Sequence, residues 1–297
     1  MYDLIIVGGG PAGLTAAVYA LHKRLKILLI SQDLGGKINY HLQLKGMEGH
    51  EIITGGDVVE KFKRQLEYLD FAHQLDRVTK VTARDRHLAV LTQSGRCYEA
   101  RSVIIATGVT PQRLDVPGER CLLGRGLSYS AISHAQVFIE KEVALLGSSE
   151  RALRGAAELA EIAKRVHLFL PERSEMDSPL GQKLRIHPQV KVYEDAEVCE
   201  IRGDQFVEGI LVRYRGKMQE IPVDGLFIEL GLVPNSQLAA DLGITDSAGR
   251  IMVDAKCVTR CPGIFAAGDV TDTFIEQVLI AVGEGAKAAL SASEYLL

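Results

Sequence analysis

The chain has 297 residues, 47% of them hydrophobic and 24% charged, with a net charge of −4, the balance of an ordinary globular protein with core enough for two modest domains. Residues 114–235 hold 15 Lys+Arg against 19 Asp+Glu, so the acidic excess lies in the middle and no nucleic-acid partner is expected. The N-terminus has no basic segment ahead of its apolar stretch, and no run reaches the roughly 20 apolar residues of a membrane span, which reads as a cytoplasmic protein without signal peptide or membrane contact. The five cysteines, Cys97, Cys121, Cys199, Cys257 and Cys261, form no Cys-x-x-Cys pair; they read as buried or idle thiols, and no metal site is expected.

The chain opens on an apolar strand that runs into Gly8-Gly9-Gly10-Pro11-Ala12-Gly13 and then an Ala-rich helix. This is G-x-G-x-x-G in the strand, turn and helix setting that a dinucleotide requires. Gly8 permits the tight turn, Gly10 lets the backbone approach a pyrophosphate, and Gly13 lets helix and strand pack closely. The helix start at Pro11 and Ala12 then faces the negative charge. A second apolar strand is predicted over 25–30. At its end, where an acid usually holds the adenosine ribose, stands Ser31, with Asp33 two residues on, so ribose recognition stays open.

Further along come Gly35-Gly36 and an apolar run over 102–105 that ends in Ala106-Thr107-Gly108. Proline and glycine punctuate 110–118 and 231–235, marking hinges. Between them the opening pattern returns: EVALLGSSERALRGA (142–156) aligns without a gap on DLIIVGGGPAGLTAA (3–17), at an offset of 139, and 166–169 repeats the second strand. Each copy predicts a βαβ unit and a parallel sheet, while 190–201 and 206–214 read as strands of a small antiparallel layer. The predicted architecture is α/β: two Rossmann-like dinucleotide-binding domains of three-layer ββα type, the second inserted in the first. The first covers 1–112 and 236–297, and the second covers 113–235. A last strand over 263–267 ends in Gly268-Asp269, ahead of a helix from about 274.

Together with Gly124-Arg125-Gly126 and Gly225–Ile228, these segments resemble thioredoxin reductases over essentially the whole chain. The resemblance implies FAD in the first domain, against Gly8, Gly10, Pro11, Ala12, Gly13, Ser31, Gly35, Gly36, Ala106, Thr107, Gly108 and Gly268. It implies that Asp269 accepts a hydrogen bond from the ribityl chain, its alternative being a turn or N-cap carboxylate. It also implies that Gln277 and Val278 bring backbone N–H groups to the flavin pyrimidine ring, where a helix N-terminus favours the reduced, anionic form. A homodimer and a redox partner protein, ferredoxin or thioredoxin-like, are implied in the same way.

The chain also departs from that family. Where the reductases carry their redox-active cysteine pair, it has Ser128-Tyr129-Ser130-Ala131-Ile132-Ser133-His134, and serine forms no disulfide. Three readings of Ser130 and Ser133 stand: natural loss of the dithiol, an engineered Cys→Ser pair, or a dithiol moved to Cys121 or elsewhere. His134, at the place of the family's acidic proton donor, favours natural loss; it reads as a proton donor to flavin or as a solvent-facing polar replacement. In the second glycine loop Gly147 remains, Ser149 replaces the glycine that admits phosphate, and Glu150 adds negative charge. Leu170-Pro171-Glu172 stands where the family grips the 2′-phosphate of NADPH with His-Arg-Arg. NADPH is therefore disfavoured, NADH is compatible with Glu172, and a second flavin or no nucleotide also fits. Arg151, Arg154 and Arg173 are nearby cations that either meet a phosphate from a new direction or form solvated faces.

The expected function is an FAD-dependent oxidoreductase that passes electrons between an unidentified donor and an unknown acceptor without the usual dithiol. The alternatives are a disulfide reductase whose redox cysteines were replaced by serine, and a flavin-binding sensor or partner-binding module without turnover.

Overall fold

The computed structural model describes residues 1–39, 42–45, 55–67, 72–84, 87–171, 176–273 and 275–297. The chain forms two compact units. The first contains Met1–Asn39, the stretch up to Thr110, and Val233–Leu297; the second contains Pro111–Leu232 together with residues 42–45.

In chain order the first unit supplies β1 (Tyr2–Val7), α1 (Pro11–His22), β2 (Ile27–Ser31), α2 (Gly55–Glu67), β3 (His73–Leu75), β4 (Val78–Ala83), β5 (Leu88–Thr92) and β6 (Cys97–Ile105). A short strand, β7 (Val109–Pro111), leads out. The second unit supplies α3 (Glu119–Leu122), β8 (Leu127–Ser128), α4 (Ala131–His134), β9 (Glu142–Leu146), α5 (Glu150–Ile162), β10 (Arg165–Leu170), α6 (Pro179–Ile186) and β11 (Val190–Glu194). It continues with β12 (Ala196–Arg202), β13 (Gly209–Tyr214), β14 (Lys217–Pro222) and β15 (Gly225–Ile228). The return strand β16 (Leu232–Pro234) pairs with β7, and the first unit closes with β17 (Ile264–Ala266) and α7 (Val278–Tyr295).

The first unit's sheet runs β3-β2-β1-β6 in parallel, with β17 parallel beside the C-terminal half of β6 and β5 antiparallel beside its N-terminal half. Both faces are covered, so both sets of alternating side chains along β1 are apolar. Leu4 and Ile6 pack toward α1 and α7 with Leu14, Ala17 and Ala288, while Ile5 and Val7 pack with Val81, Val90 and Ile264 on the other face.

The second unit repeats the plan, with a parallel sheet β11-β10-β9-β15-β8 and a three-stranded antiparallel layer β12-β13-β14. Val143 and Leu145 face α5; Ala144 and Leu146 face the antiparallel layer. Each unit is a three-layer ββα, Rossmann-like α/β fold.

The run over 190–201 is not one antiparallel strand. Asp195 takes a left-handed conformation (φ +56°) and breaks it, so 190–194 joins the parallel sheet on β10 and only 196–202 enters the antiparallel layer. The last helix begins at Val278, four residues beyond the expected start.

Candidate functional site

The first glycine loop lies at the C-terminal edge of its sheet, and its glycines do two different jobs. A Cβ on Gly8 (φ +112°) would lie 2.2 Å from the Ala106 carbonyl oxygen, and one on Gly13 would lie 1.8 Å from that of Gly8. These two are required by packing. Gly10 is the N-cap of α1 in an extended conformation, with no side-chain cap, and nothing lies within 4 Å of a Cβ built on it. Open space therefore fronts the helix start, and the Ala12 and Gly13 N–H groups of the first turn have no side-chain cap to satisfy them, the arrangement that suits an anion. Pro11 has no N–H to satisfy.

Ser31 and Asp33 are both engaged in holding the neighbouring loop. The Ser31 hydroxyl donates to the Asp33 carbonyl at 2.6 Å, and the Asp33 carboxylate accepts from the Gly36 N–H at 2.7 Å. Gly35 (φ +115°) donates its N–H to the Gly9 carbonyl at 2.7 Å, which straps the 33–36 turn onto the glycine loop. At the end of β6, Thr107 donates to the Asn235 carbonyl at 2.7 Å, while the Asn235 side chain donates to Thr107 and its N–H to Gly108. Asn235 belongs to no motif in the sequence; its signal is a polar residue ending the second hinge.

Asp269, beyond the end of β17, forms an ion pair with Lys37. Gly268 donates its N–H to Glu284 of α7 at 2.8 Å, and Gln277 and Val278 sit at the start of α7, which also lacks a side-chain cap. Two uncapped helix starts, an open Gly10 and a carboxylate at one sheet edge form a set of groups that fits FAD.

The second unit puts the same repeat to another use. Its helix α5 also starts 139 residues after α1, at Glu150. Ser149 is the N-cap, and its hydroxyl accepts from the Ala152 N–H at 3.3 Å, so the protein supplies the acceptor that a phosphate would otherwise provide. Gly147 is fixed by packing, since a Cβ would lie 2.5 Å from the Glu229 carbonyl oxygen.

Arg151 turns inward to form an ion pair with Glu229, whose side chain is fully buried. A cation in the first turn opposes the helix dipole, and the Glu229 carboxylate compensates. Arg154 pairs with Glu150 at 2.8 Å. A cavity of ≈ 550 Å³ beside this loop is lined by Gln112, Arg113, Ser148, Ser149, Pro171, Glu229 and Leu230. Glu172 and Arg173 lie outside the described residues.

Glu229 also reaches the serine pair. It accepts from the Ala131 N–H at 2.7 Å, and the Arg151 guanidinium lies 3.5 Å from the Ser130 hydroxyl. Ser130 caps α4 and donates its hydroxyl to Ser133 at 2.9 Å. The His134 Nδ1 lies 2.9 Å from the Ser128 hydroxyl, and burial lowers the pKa of its imidazole. Beside it, the Tyr129 hydroxyl donates to the buried Glu119 carboxylate at 2.7 Å; burial first, then Glu119, raises its pKa. Glu229 escapes sequence reasoning because it ends an apolar run; an acid there, opposite an arginine in a glycine loop, is the available signal.

Residues 2–285 match the pyridine nucleotide-disulphide oxidoreductase family. The chain belongs to this family. It is 32% identical over its full length to an alkyl hydroperoxide reductase component of Staphylococcus epidermidis, but spans only 59% of that protein. Thioredoxin reductase from Streptococcus pyogenes MGAS5005 superposes with a TM-score of 0.90 at 33% identity, covering 100% of this chain and 98% of that one. A ferredoxin-flavin thioredoxin reductase from Clostridium acetobutylicum gives a TM-score of 0.51 at 29% identity, covering 99% and 97%. The chain thus has thioredoxin reductase-like architecture. Among the described residues no helix is long and apolar enough to cross a membrane.

Proposed function

We propose that this family member holds FAD in its first unit and passes electrons from a donor other than NADPH to an acceptor outside the chain, with no protein dithiol at residues 130 and 133. The observation that carries the reading is the contrast between two copies of one repeat. Helix α1 starts on an open, uncapped glycine, whereas α5 starts on Ser149, whose hydroxyl takes the Ala152 N–H, with Arg151 drawn into a pair with Glu229.

Bound FAD supplies a carrier that takes up and releases electrons. The residues of the first unit bind and orient it: the α1 N–H groups hold the pyrophosphate, Asp269 the ribityl hydroxyls, and the start of α7 favours the negative charge that reduction adds. Ser130 and Ser133 shape the α4 turn and store no electrons. With the phosphate-binding groups of the second loop engaged internally, NADPH is the least suited donor and NADH is left with the cavity beside Ser148 and Arg113. An iron-sulfur protein is a donor that needs no nucleotide site, and one relative is named for ferredoxin. A cytoplasmic homodimer completes the proposal.

A second reading, a disulfide reductase with cysteine at both positions, is favoured by the 2.9 Å separation of the Ser130 and Ser133 hydroxyls. The test is anaerobic titration of the flavin absorbance with NADPH, NADH, a reduced ferredoxin and dithionite. Bleaching by ferredoxin and dithionite, but not by NADPH, is the expected result. Rapid stoichiometric bleaching by NADPH would overturn the proposal.

A further inference from the structure

Lys37 joins the two sides of the first glycine loop. The residue before it, Gly36, packs on Gly10: a Cβ added there would lie 3.2 Å from the Gly10 Cα. From that point the Lys37 side chain extends its ammonium to the Asp269 carboxylate. Gly10 and Asp269 each lie three residues beyond a strand end, Val7 of β1 and Ala266 of β17, the two strands that flank β6 in the same sheet. The Asp269 side chain is 13% exposed and that of Lys37 is 49% exposed, so the carboxylate is walled in while its cation remains open to solvent.

A diphosphate brings two negative charges to this edge. The start of α1 answers with roughly half a positive charge, and Gly8–Gly13 contains no cationic side chain. The ammonium that reaches over from Gly36 is placed to supply the difference, and the Asp269 carboxylate keeps it there in a charge-assisted contact.

We propose that Lys37 is a cofactor-binding residue: positioned by Asp269, its ammonium pairs with the FAD phosphate nearest the ribityl chain. The inference rests on the reading that the first unit binds FAD. Lysine acts here as a point charge toward phosphate, so arginine substitutes for it and glutamine does not. Loss of one charged hydrogen bond weakens FAD binding about tenfold or more. Because both redox states of the cofactor share the phosphate, the midpoint potential stays at its wild-type value.

The experiment prepares apo-protein of the wild type, Lys37→Gln and Lys37→Arg, and titrates each with FAD at low and high salt, following flavin fluorescence quenching. The expected result is a weakened Lys37→Gln, a near-normal Lys37→Arg, and a gap between glutamine and wild type that narrows as salt rises. Equal or tighter FAD binding by Lys37→Gln overturns the inference, as does a fall in midpoint potential without a loss of affinity. Failure of the wild type to bind FAD sinks the FAD reading instead, which separates the two.

Discussion

Replacing Glu229 with alanine removes two interactions at once: the counter-charge of Arg151 and the acceptor of the Ala131 N–H. The Glu229 side chain is 0% exposed and that of Arg151 is 22% exposed. Removing one partner of a buried ion pair costs about 3–5 kcal/mol, and partial access of water to Arg151 lowers this to about 2–3 kcal/mol. The unpaired Ala131 N–H adds about 1 kcal/mol. The total, about 3–4 kcal/mol, corresponds to a fall of roughly 12–16 °C in the unfolding transition of a unit this size.

Scanning calorimetry on the wild type, Glu229→Ala and the double variant Arg151→Leu with Glu229→Leu measures it. The double variant is expected to recover most of the loss, because no unpaired charge is left behind. A loss under about 1 kcal/mol in Glu229→Ala, too small for a broken buried pair, would refute the view that the pair withholds Arg151 from a ligand.

Other consequences are open to direct measurement. Cysteines installed together at Ser130 and Ser133, whose hydroxyls are 2.9 Å apart, should close a disulfide under mild oxidation; a thiol titre showing both new groups free after oxidant would contradict the geometry. Burial lowers the His134 pKa below its ordinary 6.5, so the unfolded chain takes up the proton first. The second unit should then lose stability as pH falls from about 6.5 toward the folded value, and the His134→Gln unfolding profile should be flatter over that window. His167, also lowered by burial, should contribute a slope of the same sign that survives in that variant. Burial raises the Cys257 thiol to about 11, so at pH 8 iodoacetamide should label the exposed Cys97 and Cys121 and spare Cys257. Gly10→Ala meets no protein atom within 4 Å and should fold normally yet bind FAD at least about tenfold more weakly, whereas Gly13→Ala, at 1.8 Å from a carbonyl oxygen, should lower stability as well.

Most of the architecture is legible because it is written locally. The continuous apolar run Leu4–Val7 and the glycines after it specify a strand, a turn and a helix without reference to anything distant, and the repeat at 142–156 states the same unit again. What stays hidden depends on partners far along the chain. Arg151 looks like a cation available to phosphate until Glu229, 78 residues away, is brought against it. Lys37 looks like a surface lysine after two glycines until Asp269, 232 residues on, meets it. Ser31 and Asp33 stand where ribose ligands are expected, but the close contact of the 33–36 turn with Gly9 engages both. The split of 190–201 rests on the backbone of Asp195, a conformation that residue type allows but does not announce.

The different starts of α1 and α5 imply an unequal dependence on bound cofactor. A unit whose helix end awaits an anion gains stability with the logarithm of cofactor supply, about 2.7 kcal/mol when the free cofactor stands a hundredfold above its dissociation constant. A unit whose helix end is sealed by its own serine gains nothing from that source. On the proposed reading, loss of FAD is therefore expected to lower the stability of the first unit more than that of the second.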